Sequence, residues 1–139
     1  MRRYLVWLPS CAWAGVIFFI SAQPKETFDR LGLTNQFLSI GGHFISFGLL
    51  MFLIVLALYY GSKLPLRYVL VTAFTIVALY GLSDEYHQSF VPGRTATLWD
   101  WLVDLLGALA IWLILKNQVN GKRPNWQPAW VSNLFTNRR

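Results

Sequence analysis

The sequence predicts an all-α, polytopic membrane protein with four transmembrane helices and both termini cytoplasmic. Three observations carry that prediction. The 139 residues, enough for one domain, are 55% hydrophobic and only 13% charged, well below the quarter or so that soluble domains carry. Several apolar runs approach or exceed ~18 residues with few or no charges, the length a bilayer core demands. The bases sit at the ends of those runs, where orientation signals belong.

Four spans follow in chain order. The first covers about 4–21, YLVWLPSCAWAGVIFFIS, and the second about 38–60, LSIGGHFISFGLLMFLIVLALYY. The third covers about 66–84, LRYVLVTAFTIVALYGLSD, and the fourth about 98–115, LWDWLVDLLGALAIWLIL. At ~1.5 Å per residue each crosses a ~30 Å hydrocarbon core with its polar flanks. Unbroken helices pair every backbone group internally, which lipid requires. The first span has a second reading, a signal peptide, because Arg2 and Arg3 precede it and Ser21-Ala22 close it. Its length, Pro9 and Trp13 weigh against that reading.

Between the spans, 22–37 mixes charges with Phe28, Leu31, Leu33 and Phe37, the pattern of a short segment lying along an interface. The connection 61–65, GSKLP, is tight and suits antiparallel neighbours. Residues 1–116 thus form a four-helix domain, and 117–139 a cytoplasmic tail with Trp126, Trp130, Leu134, Phe135 and four bases. Aromatics beside bases suit adhesion to anionic lipid.

Charge sets the orientation. With the N-terminus inside, Arg2, Arg3, Lys63, Arg67, Lys116, Lys122, Arg123, Arg138 and Arg139 are cytoplasmic, nine of the twelve bases. Lys25, Arg30 and Arg94 lie outside, together with all six acids. The net charge of +6 therefore reads as topology and not as a nucleic-acid surface. The single cysteine, Cys11, lies in an apolar run and has no partner for an intrachain disulfide.

Four of the six acids gather in GLSDEYHQSFVPGRTATLWDWLVDLL, residues 81–106. Asp100 and Asp104 are four apart and share one helix face. Asp100, three after Thr97, suits the first turn of a helix. Asp104 is a turn deeper, between Val103 and Leu105, and an intramembrane acid is a functional candidate by default. Gly107 continues that face and permits close helix packing. Asp84 and Glu85 end the third span, where carboxylates oppose the helix dipole. Gln88 shares the face of Asp84 if the helix continues, and His87 lies off it. Pro92-Gly93-Arg94 is a turn signal, and Arg94 is the natural counter-charge for Asp84, Glu85, Asp100 or Asp104. His43 falls at the same depth as the acids. A metal site from these residues has no diagnostic ligand spacing, so the sequence assigns neither metal nor cofactor. Ser83 and Ser89 stand nearby, without a nucleophile elbow.

These residues resemble the VanZ-like family of small bacterial membrane proteins over roughly residues 15–115. The matching pieces are Ser21-Ala22-Gln23-Pro24, His43 with Gly48, Ser83-Asp84-Glu85 with Gln88, Phe90 and Pro92-Gly93-Arg94, then Asp100, Asp104 and Gly107. Ser39-Ile40 and Phe47 stand where many relatives have Asp-Lys and Tyr, and Asp104 stands where they have Asn. The resemblance implies a multi-pass protein of the bacterial inner membrane with an envelope role. The founding member is associated with low-level glycopeptide resistance.

The residues support an outward-facing polar pocket. His43, Asp84, Glu85, Asp100 and Asp104 are candidates for proton handling, and Arg94, Gln88 and Ser83 for ligand contact. The expected ligand is an envelope lipid, a lipid-linked precursor or an amphipathic antibiotic. Two other classes use the same residues: a non-enzymatic module that stabilises a partner envelope protein, and an ion or proton pathway. Nothing in the sequence specifies a catalysed reaction, a nucleic-acid partner or an oligomeric state.

Overall fold

The structure, a computed structural model, describes residues 2–33 and 35–119. The expected tail lies outside the described residues from 120 onward. Among the described residues every regular element is a helix: α1 Arg2–Leu5, α2 Leu8–Ser21, α3 Lys25–Arg30, α4 Gln36–Gly61, α5 Leu66–Gln88 and α6 Leu98–Val119.

Among the described residues three helices are long and apolar enough to cross a membrane: Gln36–Gly61, Leu66–Gln88 and Leu98–Lys116, of 26, 23 and 19 residues. The helix α2 is apolar but has only 14 residues, ~21 Å at the helical rise. The first predicted span is therefore not one helix. Its break at Val6-Trp7 follows from Pro9, which has no N–H and whose ring meets the carbonyl four residues earlier, that of Leu5. Trp7 N donates to Tyr4 O at 3.2 Å instead, and the regular pattern resumes with Cys11 N to Trp7 O at 2.9 Å.

The other boundaries have local causes. Asn35 caps α4 by accepting from Phe37 N at 2.9 Å. Pro65 precedes α5, where a fixed φ is tolerated. The short α3 stops at a left-handed glycine, Gly32 at φ 68°. Gly32 N bonds Asp29 O at 3.1 Å and Leu33 N bonds Phe28 O at 2.9 Å, satisfying the last carbonyls. α3 falls within 22–37, the segment expected to lie along an interface, and Leu31, Leu33 and Phe37 after it are exposed.

α4 and α6 make the most extensive contact, and α5 packs against both. The core runs along α4 through Phe47, Leu50, Met51, Ile54, Val55 and Leu58, and along α5 through Val69, Leu70, Ala73 and Val77. Helix spacing fixes those stripes. On α5 the inward stripe continues through Gly81 to Asp84, Glu85 and Gln88, so it turns from apolar to polar while staying buried. Many large apolar side chains face outward, among them Phe18, Phe19, Ile45, Val71, Leu79 and Leu113. An apolar exterior of that extent suits lipid better than water.

Small residues set the closest approach. A Cβ on Gly107 would collide with the carbonyl oxygen of Phe44, and one on Gly48 would lie 3.3 Å from Gly107 O. Backbone-to-backbone packing of α4 on α6 thus depends on both glycines.

Candidate functional site

Alternating helix directions bring four helix ends together. The last residue of α2, the early turns of α4, the end of α5 and the start of α6 meet at one end of the bundle. Three hydrogen bonds record this: Ser21 to Asp84, His43 with Asp104, and Thr97 to Glu85. The residues Asp84, Glu85, Gln88 and Asp104 are all buried there.

One group centres on Asp84. Ser21 Oγ donates to Asp84 Oδ2 at 2.9 Å and Gln88 Nε2 donates to the same oxygen at 2.8 Å. The α5 helix does continue to Gln88, which therefore shares the face of Asp84 and bonds to it. Asp84 Oδ1 is buried with no partner. Arg94 donates to Gln88 Oε1 at 2.8 Å and its guanidinium lies over the Phe28 ring, 5.1 Å from the centroid. Among the described residues it forms no ion pair with an acid, contrary to the counter-charge expectation. The reason is the turn. Arg94 N bonds Val91 O at 3.1 Å, with Pro92 second and Gly93 third at φ 75°, the signature of a type II turn. The turn holds Arg94 against the Gln88 end of α5, and Gln88 stands between it and Asp84.

The second group centres on Asp104. His43 Nδ1 and Asp104 Oδ1 share a hydrogen bond at 2.9 Å. The Asp104 side chain is 1% exposed and that of His43 13%. Asp104 Oδ2 has no partner. It faces α5 at Gly81, where an added Cβ would lie 3.3 Å away. Glu85 joins this group: one ligand atom each from His43, Glu85 and Asp104 lie within 4.8 Å of one another, so these are the residues that could hold a metal. Glu85 Oε2 accepts from Thr97 N at 2.8 Å, while Glu85 Oε1 is buried without a partner.

Asp100 and Thr97 organise the start of α6. Asp100 N donates to Thr97 Oγ1 at 3.2 Å and Thr97 Oγ1 donates to Asp100 Oδ2 at 2.9 Å. A capping box would also use the acid to accept from the cap's own N–H; here Glu85 from α5 takes that bond. Asp100 is half-buried and is not among the three converging ligands. Ser83 is exposed and donates to Tyr80 O at 2.7 Å within its own helix. It borders an open groove of ≈ 590 Å³ whose walls include Leu79, Leu82, Tyr86 and Leu98, with Glu85 and Thr97 at its polar side. His87 stacks on Phe18 at 4.4 Å, away from the acids.

Several participants were not predicted from sequence. Ser21 supplies a donor to Asp84, and Phe28 supports Arg94. Trp101 Nε1 donates to Ala78 O at 3.0 Å and Trp13 Nε1 to Ser46 O at 3.0 Å, tying helices together beside the polar groups. The available signal for Ser21 was its polarity at the end of an apolar run.

A family model described as VanZ/LLP1 matches residues 6–119. No curated protein and no solved structure matches.

Proposed function

Because the chain belongs to the VanZ/LLP1 family, we propose that this VanZ-like membrane protein uses its polar helix end to bind or modify an amphipathic envelope ligand. That ligand is an envelope lipid, a lipid-linked precursor or an amphipathic antibiotic. In this reading all four apolar stretches are spans, both termini are cytoplasmic, and the polar end faces outward from the bacterial inner membrane. Acids at that end and most bases at the other support the orientation.

The observation that carries the reading is the position of Glu85. It borders the groove walled by Leu79, Leu82, Tyr86 and Leu98 and also converges with His43 and Asp104. An acyl chain in that groove presents its polar end to the buried His43–Asp104 pair, which is placed for proton transfer. Arg94, stacked on Phe28 and without a carboxylate partner among the described residues, keeps its charge for an anionic head group.

The test is native mass spectrometry of the protein purified from its membrane, beside Arg94→Gln. A phosphate-bearing amphiphile retained by the wild type and lost from the variant is expected. Equal retention, or retention of none, contradicts the reading.

A further inference from the structure

Three side chains from three helices converge although no ligand spacing marks them in the sequence. One nitrogen of His43 and one carboxylate oxygen each of Glu85 and Asp104 lie within 4.8 Å of one another. Two carboxylates brought together in an apolar surrounding repel each other unless a proton or a cation is held between them.

An independent observation points to that cation. Glu85 Oε1 and Asp104 Oδ2 are buried without a hydrogen-bond partner, on residues only 6% and 1% exposed. The other oxygen of each is already fixed, Glu85 Oε2 by Thr97 N and Asp104 Oδ1 by His43 Nδ1. Both carboxylates are therefore oriented, with one oxygen left over. Neither Lys nor Arg forms an ion pair with them among the described residues. Gly81 adds no side chain of its own beside Asp104 Oδ2, where Trp101 and Phe47 already close in.

We infer that His43, Glu85 and Asp104 form a site for one divalent transition-metal cation, of the Zn²⁺ or Mn²⁺ type. One imidazole nitrogen with two carboxylate oxygens suits ions between the hard alkaline earths and the thiolate-seeking soft metals. Two carboxylates also balance a double positive charge where the dielectric is low. With bonds of ~2.0–2.1 Å the ligands of one Zn²⁺ stand about 3.3 Å apart, so the set closes by up to roughly 1.5 Å on binding. Three protein ligands leave a position open for water or an oxyanion. Cation binding stands on these three residues alone; its use toward a phosphate group rests on the function proposed above.

The experiment uses the full chain in detergent, purified through a tag free of histidine and stripped with EDTA. Zn²⁺ is titrated by calorimetry without added lipid, and Co²⁺ by visible absorption. One equivalent per chain is expected. Glu85→Gln and Asp104→Asn should each weaken binding at least tenfold, while His87→Gln leaves it unchanged. X-ray absorption of the wild-type Zn²⁺ complex should show one imidazole and oxygen ligands, a readout that survives if a variant fails to fold. Absence of stoichiometric binding by the wild type, or equal binding by folded Glu85→Gln and Asp104→Asn, overturns the site. Cation binding without lipid retention would overturn the ligand reading alone; lipid retention undiminished in EDTA, with no cation bound, would overturn the metal alone.

Discussion

His43 Nδ1 lies 2.9 Å from Asp104 Oδ1, although 61 residues separate them in the chain. The bond pins the early turns of α4 to α6 where Gly48 and Gly107 bring the two backbones together. A double-mutant cycle of His43→Ala and Asp104→Ala, read by thermal unfolding in detergent, should return a coupling of about 1–3 kcal/mol. Additive losses would mean that the two side chains do not interact.

Helix approach at Gly107 gives a second expectation. Gly107→Ala puts a methyl group into the Phe44 carbonyl and should cost about 2 kcal/mol or more, with lower membrane abundance. Gly15→Ala is the matched control, since nothing lies within 4 Å of a Cβ there. It should be neutral or stabilising by up to ~1 kcal/mol, because alanine is the better helix former. Equal losses at both positions would remove the case for glycine-dependent packing.

Much of this architecture was legible in the residues, because lipid imposes length and charge rules that single sequences display. The second to fourth spans emerge as α4, α5 and α6 within a few residues. Asp104 stood out because a carboxylate between Val103 and Leu105 breaks the apolar pattern, and His43 because its depth matched. The first span was less legible. Pro9 divides it, and a count of apolar residues does not register a missing N–H. The partners of the acids were hidden for a different reason. Helices apolar on all sides give little rotational signal, so nothing local says that Ser21 meets Asp84 or that Thr97 N meets Glu85. Arg94 misled the charge pairing because the Pro92-Gly93 turn, and not Coulomb attraction, decides where its guanidinium goes.

Ser21 provides a third expectation. It is one of two donors to Asp84 Oδ2, and Asp84 Oδ1 already has none. Ser21→Ala should destabilise by about 1–3 kcal/mol, since a buried carboxylate loses a bond. Ser21→Thr, which keeps the hydroxyl, should recover most of it. A neutral Ser21→Ala in thermal unfolding would show that Asp84 does not depend on this donor.

Orientation can be checked in whole cells on a Cys11→Ser background. A cysteine at position 29, beside the polar end, should react with a membrane-impermeant maleimide. One at position 63, in the α4–α5 connection, should react only after permeabilisation. The reverse pattern would place the polar end in the cytoplasm and end the outward-facing reading.

The most direct test of the central claim, that the buried acids serve a ligand and do not merely lock helices, is one paired measurement on Asp104→Asn. Membrane abundance and amphiphile retention are quantified in the same preparation. The account predicts abundance within about twofold of wild type and retention lower by tenfold or more. Abundance and retention falling together, or retention unchanged, would contradict it.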